Sequence, residues 1–282
     1  MATEAQLLGG NDIRELAARL DVVPTKKLGQ NFVTDPNTIR RIVAAAKLDG
    51  TETVVEIGPG LGSLTLGLIE IAEKVISVEI DSKMAAAIEA TVAQRAPGAN
   101  FHLVSADAMK VTELGATPDA LVANLPYNIS VPVLLHFLEQ FPSLQTGLVL
   151  VQAEVAHRLA AKPGNKVYGV PSLKLAWYAD SNLAGNVGRT IFWPVPNVDS
   201  ALVYFEKRKE SLGDDALRLA TFAAIDAAFN QRRKTLRQAL GDWAGSPAEA
   251  ETVLVAAGID PQKRGEQLDI HDFVKIAKAK GY

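Results

Sequence analysis

Val54-Val55-Glu56-Ile57-Gly58-Pro59-Gly60-Leu61-Gly62-Ser63 decides the fold. Its β-branched, apolar start predicts a buried strand over 53–57. Glycines 58, 60 and 62 break that strand and let a ligand approach the backbone. The apolar spacing from Ser63 onward predicts a helix over 63–71. A strand, a glycine turn and a helix amino end make a nucleotide-type site, because the unpaired N–H groups of the helix face the ligand. The pattern is Gly-x-Gly-x-Gly, with Ser63 where the dinucleotide fingerprint has its last glycine, which disfavours a nicotinamide dehydrogenase. Glu56 suits a ligand with a cationic amino-acid part better than it suits a pyrophosphate. Taken alone, the stretch also reads as a plain tight turn.

Two strands further along end in acids. Residues 74–78 lead into Glu79-Ile80-Asp81, and an acid about 20 residues past such a turn can accept both ribose hydroxyls. Glu79 is the residue of choice, with Asp81 capping the next helix. Residues 101–104 lead to Asp107, whose carboxylate can bond an adenine amino group. Any one such acid is usually a solvated strand end. Gly58, Glu79 and Asp107 at three successive strand ends together describe a pocket for S-adenosylmethionine.

The fourth strand, over 120–123, ends in Asn124-Leu125-Pro126-Tyr127-Asn128-Ile129-Ser130, before a helix over 131–141. Open α/β sheets hold ligands at this kind of carboxyl end. The chemistry suits an exocyclic amine on a flat base, whose lone pair is delocalised into the ring. The Asn124 side-chain oxygen and the Leu125 carbonyl can accept both amine hydrogens, pulling the nitrogen towards tetrahedral geometry. Pro126 has no N–H to compete and stiffens the backbone. Tyr127 offers a stacking face worth roughly 1–3 kcal/mol. The plainer alternative is a strand-to-helix turn capped by Ser130.

A length of 282 residues, 48% of them hydrophobic and 22% charged, fits one large α/β domain with a small appendage. No apolar run is long enough to span a bilayer, and no export signal is recognisable, so a cytoplasmic monomer without membrane association is the expectation. The absence of cysteine removes thiolate metal sites and the thiol nucleophile of pyrimidine C5 methylation. His102, His136, His157 and His271 show no metal spacing. A net charge of −3 argues weakly against nucleic acid. Its distribution argues back: 26–47 carries Lys26, Lys27, Arg40, Arg41 and Lys47 against Asp35 alone, and 229–240 carries Arg232, Arg233, Lys234 and Arg237 against no acid.

Residues 1–24 read as a tail with one helix over 12–20, capped by Asn11 or Asp12. A polar, flexible segment over 26–35 precedes a helix capped by Asp35, with Pro36 in its first turn and Ile39, Ile42, Val43 and Ala46 on its buried face. Beyond the fourth strand, a strand over 146–152, helices over 153–162 and up to Trp177, and strands over 179–187 and 201–206 are predicted. Phe192-Trp193-Pro194-Val195-Pro196-Asn197-Val198-Asp199-Ser200 lies between the last two, a proline-stiffened loop or a packed corner with Phe192 in the core. From about 208 the pattern is helical, with Arg233 and Arg237 on one helix face and further helices over 247–257 and 269–280. A cluster of cations without acids favours phosphate contact.

The segments LGQNFVTD (28–35), VVEIGPGLGSLT (54–65), VEID (78–81), DAM (107–109), NLPYNIS (124–130), FWPVPNVDSALV (192–203) and AFNQRRKTLRQAL (228–240) together resemble the small-subunit rRNA adenine N6,N6-dimethyltransferase family, in the family's order and over nearly all of the chain after residue 25. The resemblance implies a Rossmann-like α/β sheet of the class I S-adenosylmethionine-dependent methyltransferases over 25–207, and a helical RNA-contacting domain over 208–282. It implies that Asn31, Val33, Gly58, Gly60, Glu79, Asp107 and Asn124 line the cofactor site, Val33 standing where leucine is commoner. It implies that Phe192 forms the wall of the target-base slot opposite Tyr127. The expected activity is dimethylation of two adjacent adenines in the 3′-terminal hairpin loop of 16S rRNA within an immature small subunit. The rivals are an erythromycin-resistance-type enzyme acting on 23S rRNA and a non-catalytic RNA-binding assembly or transcription factor with the same fold.

Overall fold

The computed structural model describes residues 3–21 and 31–282. The expected linker residues Lys26 to Gln30, and Pro24 at the end of the tail, lie outside the described residues.

Pairing alternates with helices from the start. After α1 (Gly10–Arg19) and β1 (Phe32–Val33), α2 (Pro36–Ala45) begins where the Asp35 carboxylate accepts the Asn37 and Thr38 N–H groups. β2 (Thr53–Ile57), α3 (Ser63–Ile69), β3 (Lys74–Glu79), α4 (Ser82–Arg95) and β4 (Phe101–Ser105) follow. Next come β5 (Ala120–Asn124), α5 (Ser130–Gln140), β6 (Thr146–Gln152), α6 (Ala153–Leu159) and α7 (Val170–Tyr178). β7 (Ala179–Val187), β8 (Phe192–Trp193) and β9 (Ser200–Lys207) complete the strands. The rest is helical: α8 (Asp215–Asn230), α9 (Leu236–Ala239), α10 (Gly241–Ala244), α11 (Pro247–Ala256) and α12 (Ile270–Lys280).

Seven strands form one sheet in the order β4-β3-β2-β5-β6-β9-β7, parallel from β4 to β6 and antiparallel between β6 and β9. Near-continuous apolar burial in β2, β3, β5 and β6 is what a parallel sheet covered on both faces requires. The chain runs outward from β2 to β4 and returns on the other side of β2 as β5. The strand order therefore reverses between β2 and β5, and the crevice at their carboxyl ends is the natural ligand site. A separate ribbon pairs β1 with β8, placing Phe32 opposite Trp193 and Val33 opposite Phe192.

Two compact units result: residues up to Ala156 with Leu183–Glu206, and His157–Asn182 with Lys207–Tyr282. The grouping of His157–Asn182 with the helical unit differs from the single cut expected at 207/208. Its cause is apolar. Tyr168, Leu173 and Trp177 share one core with Leu217, Ile225, Leu236, Leu254 and Phe273, and the Tyr168 hydroxyl donates to the Leu268 carbonyl at 2.9 Å.

The N-terminal helix is more than a tail. Gly9, not Asn11 or Asp12, takes the cap position. Asp12 instead accepts the Gly9 N–H at 2.8 Å and pairs with Arg95 on α4 at 2.7 Å. Those two contacts hold its carboxyl below the usual range. Leu8, Ile13 and Ala17 join the core of the first unit, at roughly 1.5–3 kcal/mol for each large side chain buried.

Candidate active site

The carboxyl ends of β2, β3, β4 and β5 open into one cavity of about 240 Å³, and all seven expected cofactor residues, Asn31, Val33, Gly58, Gly60, Glu79, Asp107 and Asn124, line it. The glycine turn takes its shape from missing side chains. Gly60 has φ +55°, and a Cβ there would stand 2.8 Å from Cε1 of Phe32. Gly62 caps α3 at φ +98°, where a Cβ would meet Ile88 at 2.6 Å. L-residues avoid that left-handed backbone.

Asp81 takes the capping position expected of it, and Glu79 lines the cavity. Asp81 caps α4, accepting the Lys83 and Met84 N–H groups at 2.8 and 3.2 Å. Glu79 accepts the Asp81 N–H at 3.0 Å and the Gly60 N–H at 3.4 Å, which fixes its carboxylate in the cavity wall. Burial raises its pKa, and those N–H groups oppose the rise. Asp107 accepts the Met109 N–H at 3.0 Å. Glu56 is 1% exposed, and its Oε2 accepts both the Thr65 hydroxyl at 2.7 Å and the Ser77 hydroxyl at 2.8 Å. Desolvation pushes its carboxyl up to about 7 against the pull of those two bonds. A group so poised in a cavity wall suits a cationic ligand.

Asn124 is oriented by the chain's other end. Its Nδ2 donates to the Asn31 carbonyl at 3.1 Å, which leaves Oδ1 as the acceptor. Asn31 was implied only by resemblance; the structure gives it this physical task. The Leu125 N–H extends the sheet pairing to Leu150 at 3.0 Å, and its carbonyl has no donor among the described residues. The Pro126 ring lies against the glycine turn, with Cδ 3.9 Å from where a Gly58 Cβ would be. Ile129, not Ser130, holds the cap position of α5.

The expected base slot is not assembled between Tyr127 and Phe192. Tyr127 is half-buried, and its hydroxyl shares a hydrogen bond with Ser200 Oγ at 2.8 Å. Phe192 is 2% exposed in the hydrophobic core of the first unit, so its ring offers no face to a base in this conformation. The β1–β8 ribbon causes this: Phe192 turns inward, while Trp193 stacks on Phe32 at 6.2 Å and 26°.

Ile80 escaped the sequence reading. It is apolar, 65% exposed and lines the cavity between two acids. An isoleucine where a solvated strand end would carry a polar residue was the available signal, and it gives the cavity an exposed apolar surface. Two of the four expected RNA-binding cations are engaged in ion pairs. Arg232 pairs with Glu266 at 3.0 Å and donates to the Lys166 carbonyl at 2.6 Å, and Arg237 pairs with Glu251 at 2.7 Å. Arg233 precedes the four-residue α9 in a turn, so it and Arg237 are not one helical turn apart on a common helix. Arg233 and Lys234 are exposed, with no ion pair among the described residues.

The reversed strand order, the glycine turn and the strand-end acids make this a class I S-adenosylmethionine-dependent methyltransferase. The residues present fit the cofactor: an acid, Glu79, able to accept ribose hydroxyls, an exposed apolar side chain, Ile80, in the same cavity as Asp107, and a buried carboxyl, Glu56, able to face a cation. The ribosomal RNA adenine dimethylase family matches residues 24–281, and the chain belongs to that family. It is 60% identical over 278 residues to the ribosomal RNA small subunit methyltransferase A of Arthrobacter sp. (strain FB24), covering 98% of this chain and 94% of that one. The protein of the same name from Streptomyces griseus subsp. griseus is 61% identical over 277 residues, covering 97% and 95%. Among solved structures, the fold is similar to a dimethyladenosine transferase from Plasmodium falciparum, with TM-score 0.75 and 26% identity over 89% of this chain and 98% of that one. It is also similar to the 23S rRNA methyltransferase ErmE, with TM-score 0.65 and 25% identity over 89% and 100%.

Proposed function

We propose that this protein dimethylates the N6 amines of two adjacent adenines in the 3′-terminal hairpin loop of 16S rRNA, in an immature small ribosomal subunit. The observation that carries the reading is the orientation of Asn124 by the Asn31 carbonyl at the mouth of the cofactor cavity. The family and the high identity to small-subunit enzymes support the choice of substrate over the large-subunit alternative. Action as a monomer is part of the same proposal. Cytoplasmic action follows from the rRNA substrate on this reading. Among the described residues no helix is long and apolar enough to cross a membrane.

S-adenosylmethionine, when bound, supplies an electrophilic methyl group on a sulfonium. The adenine leaves its stack or arrives in a single-stranded loop. Asn124 Oδ1 and the Leu125 carbonyl accept the two hydrogens of its amine, which localises the lone pair and aims it into the cavity. Net hydrogen-bond energies of about 0.5–1.5 kcal/mol apiece are modest, so most of the effect is positioning. Pro126 keeps the two acceptors in register, and Tyr127, tethered to Ser200, supplies the stacking face. Phe192 becomes the second wall only if the β1–β8 ribbon opens. No side chain is needed as a base: the methylated amine is cationic and loses its proton to water before the second transfer. Arg233 and Lys234 supply phosphate contacts.

Purified protein, labelled S-adenosylmethionine and small subunits lacking these methyl groups should yield N6,N6-dimethyladenosine. Label on large-subunit RNA alone, or none on either subunit, contradicts the proposal.

A further inference from the structure

A second cavity, of about 440 Å³, opens on the same carboxyl edge of the sheet. β6 lies one strand beyond β5, and its last residue, Gln152, pairs with Ser200 at the start of β9. Backbone bonds set the floor: the Ala153 N–H donates to the Asp199 carbonyl at 3.0 Å, and the Arg189 N–H donates to Asp199 Oδ1 at 3.1 Å. The lining differs in kind from that of the first cavity. Gln152 and Asn197 contribute carboxamides, Arg189 a guanidinium, and Asp199 and Glu154 carboxylates. The side chains of Arg189 and Asn197 are exposed without partners among the described residues, and the second oxygen of Asp199 is likewise unbonded. The Tyr127–Ser200 hydrogen bond joins the residue after Asp199 to Tyr127, three positions past Asn124 in the chain.

We propose that this cavity seats a nucleotide flanking the target adenine and prefers one whose base carries an exocyclic amine; the identity of the target rests on the function proposed above. The volume falls within the roughly 300–1,000 Å³ of small-ligand sites. A carboxamide presents a donor and an acceptor side by side, which matches a base edge. Asp199 accepts from an amine and repels a phosphate, so the base enters and its phosphate stays outside, within reach of Arg189. β5 and β6 are neighbours ~4.8 Å apart, and Asn124 pairs with Leu150, two residues or roughly 6.6 Å before Gln152, so a base at Asn124 and its neighbour at Gln152 are reached by one RNA strand crossing the edge of the sheet. A neighbour already dimethylated at N6 has no N–H left for Asp199. The cavity therefore favours one order of reaction on adjacent adenines.

The test uses the full chain and a small-subunit RNA hairpin in which the flanking adenosine is kept or replaced by purine riboside, which lacks the amine. RNA affinity and methyl transfer are measured for the wild type, Asn197→Ala and Arg189→Ala, with S-adenosylmethionine affinity as the check on folding. The wild type should bind the amine-bearing hairpin several-fold more tightly. Asn197→Ala should reduce that preference, Asp199 remaining as an acceptor, and Arg189→Ala should weaken both hairpins about equally, with cofactor affinity unchanged. RNA affinity and preference identical in all three proteins overturn the proposal, even at full methyl transfer. Preference present without any dimethyladenosine sinks the proposed activity and supports the cavity's assignment.

Discussion

Replacing Glu56 by glutamine isolates the energetic effect of one buried charge. Both the Thr65 and Ser77 hydroxyls donate to the same oxygen, Oε2, so a glutamine Oε1 in its place keeps both bonds. What changes is titration. The carboxyl moves from 4.5 in the unfolded chain to about 7 in the folded one, chiefly by desolvation. Below pH 4.5 both states hold the proton and the group leaves stability unchanged. As pH rises towards 7 the unfolded chain ionises first, so the native state binds more protons and stability falls. Above about 7 the loss is complete, on the order of 3 kcal/mol from the size of the shift. Urea unfolding of the ligand-free protein from about pH 4.5 to about pH 8 measures it. Glu56→Gln should gain stability over the wild type progressively across that window and hold the gain above it. In the same variant S-adenosylmethionine affinity should fall, more above pH 7 than at pH 6, because the wild type then offers a carboxylate to the cationic part of the cofactor. A stability difference that does not vary with pH refutes the reasoning.

Phe192→Ala should destabilise the protein by about 3–5 kcal/mol in urea unfolding, as loss of a large core ring does, whereas Phe192→Leu should lose under about 2 kcal/mol and keep most of its turnover. A Phe192→Leu variant of normal stability and abolished kcat would instead assign the ring to stacking. Arg233→Ala and Lys234→Ala should each lower the salt slope of RNA binding by about 1 without changing stability. Arg232→Ala should cost about 1 kcal/mol in thermal or urea unfolding, because Glu266 and the Lys166 carbonyl lose their partner.

The cofactor cavity was legible because period and position carry it. Runs ending in Gly58, Glu79, Asp107 and Asn124 alternate with helical spacing, the pattern of a parallel sheet, and such a sheet gathers its carboxyl ends at one edge. Residues acting through backbone atoms were harder to read: nothing in the spacing reveals that the Asn31 carbonyl orients Asn124 across 93 positions. The choice between a slot wall and a packed core for Phe192 was not legible, because a proline-rich loop reports stiffness and not which way a ring turns, and its pairing with Val33 goes with the buried arrangement. The cation run misled because acids 14 and 34 residues away neutralise two of its members, Arg237 and Arg232. The N-terminal segment looked like a tail because Asp12 meets Arg95 only once α4 is folded.

The central claim is that the Asn124 amide, its nitrogen donating to the Asn31 carbonyl, presents a neutral oxygen that prepares an aromatic amine for methyl transfer. Single-turnover transfer to small subunits by Asn124→Ala, with cofactor affinity followed by calorimetry, tests it most directly. The rate should drop about 100-fold or more, the scale of losing a positioned transition-state contact, while S-adenosylmethionine still binds within a few-fold of the wild type. Transfer at an undiminished rate would contradict it.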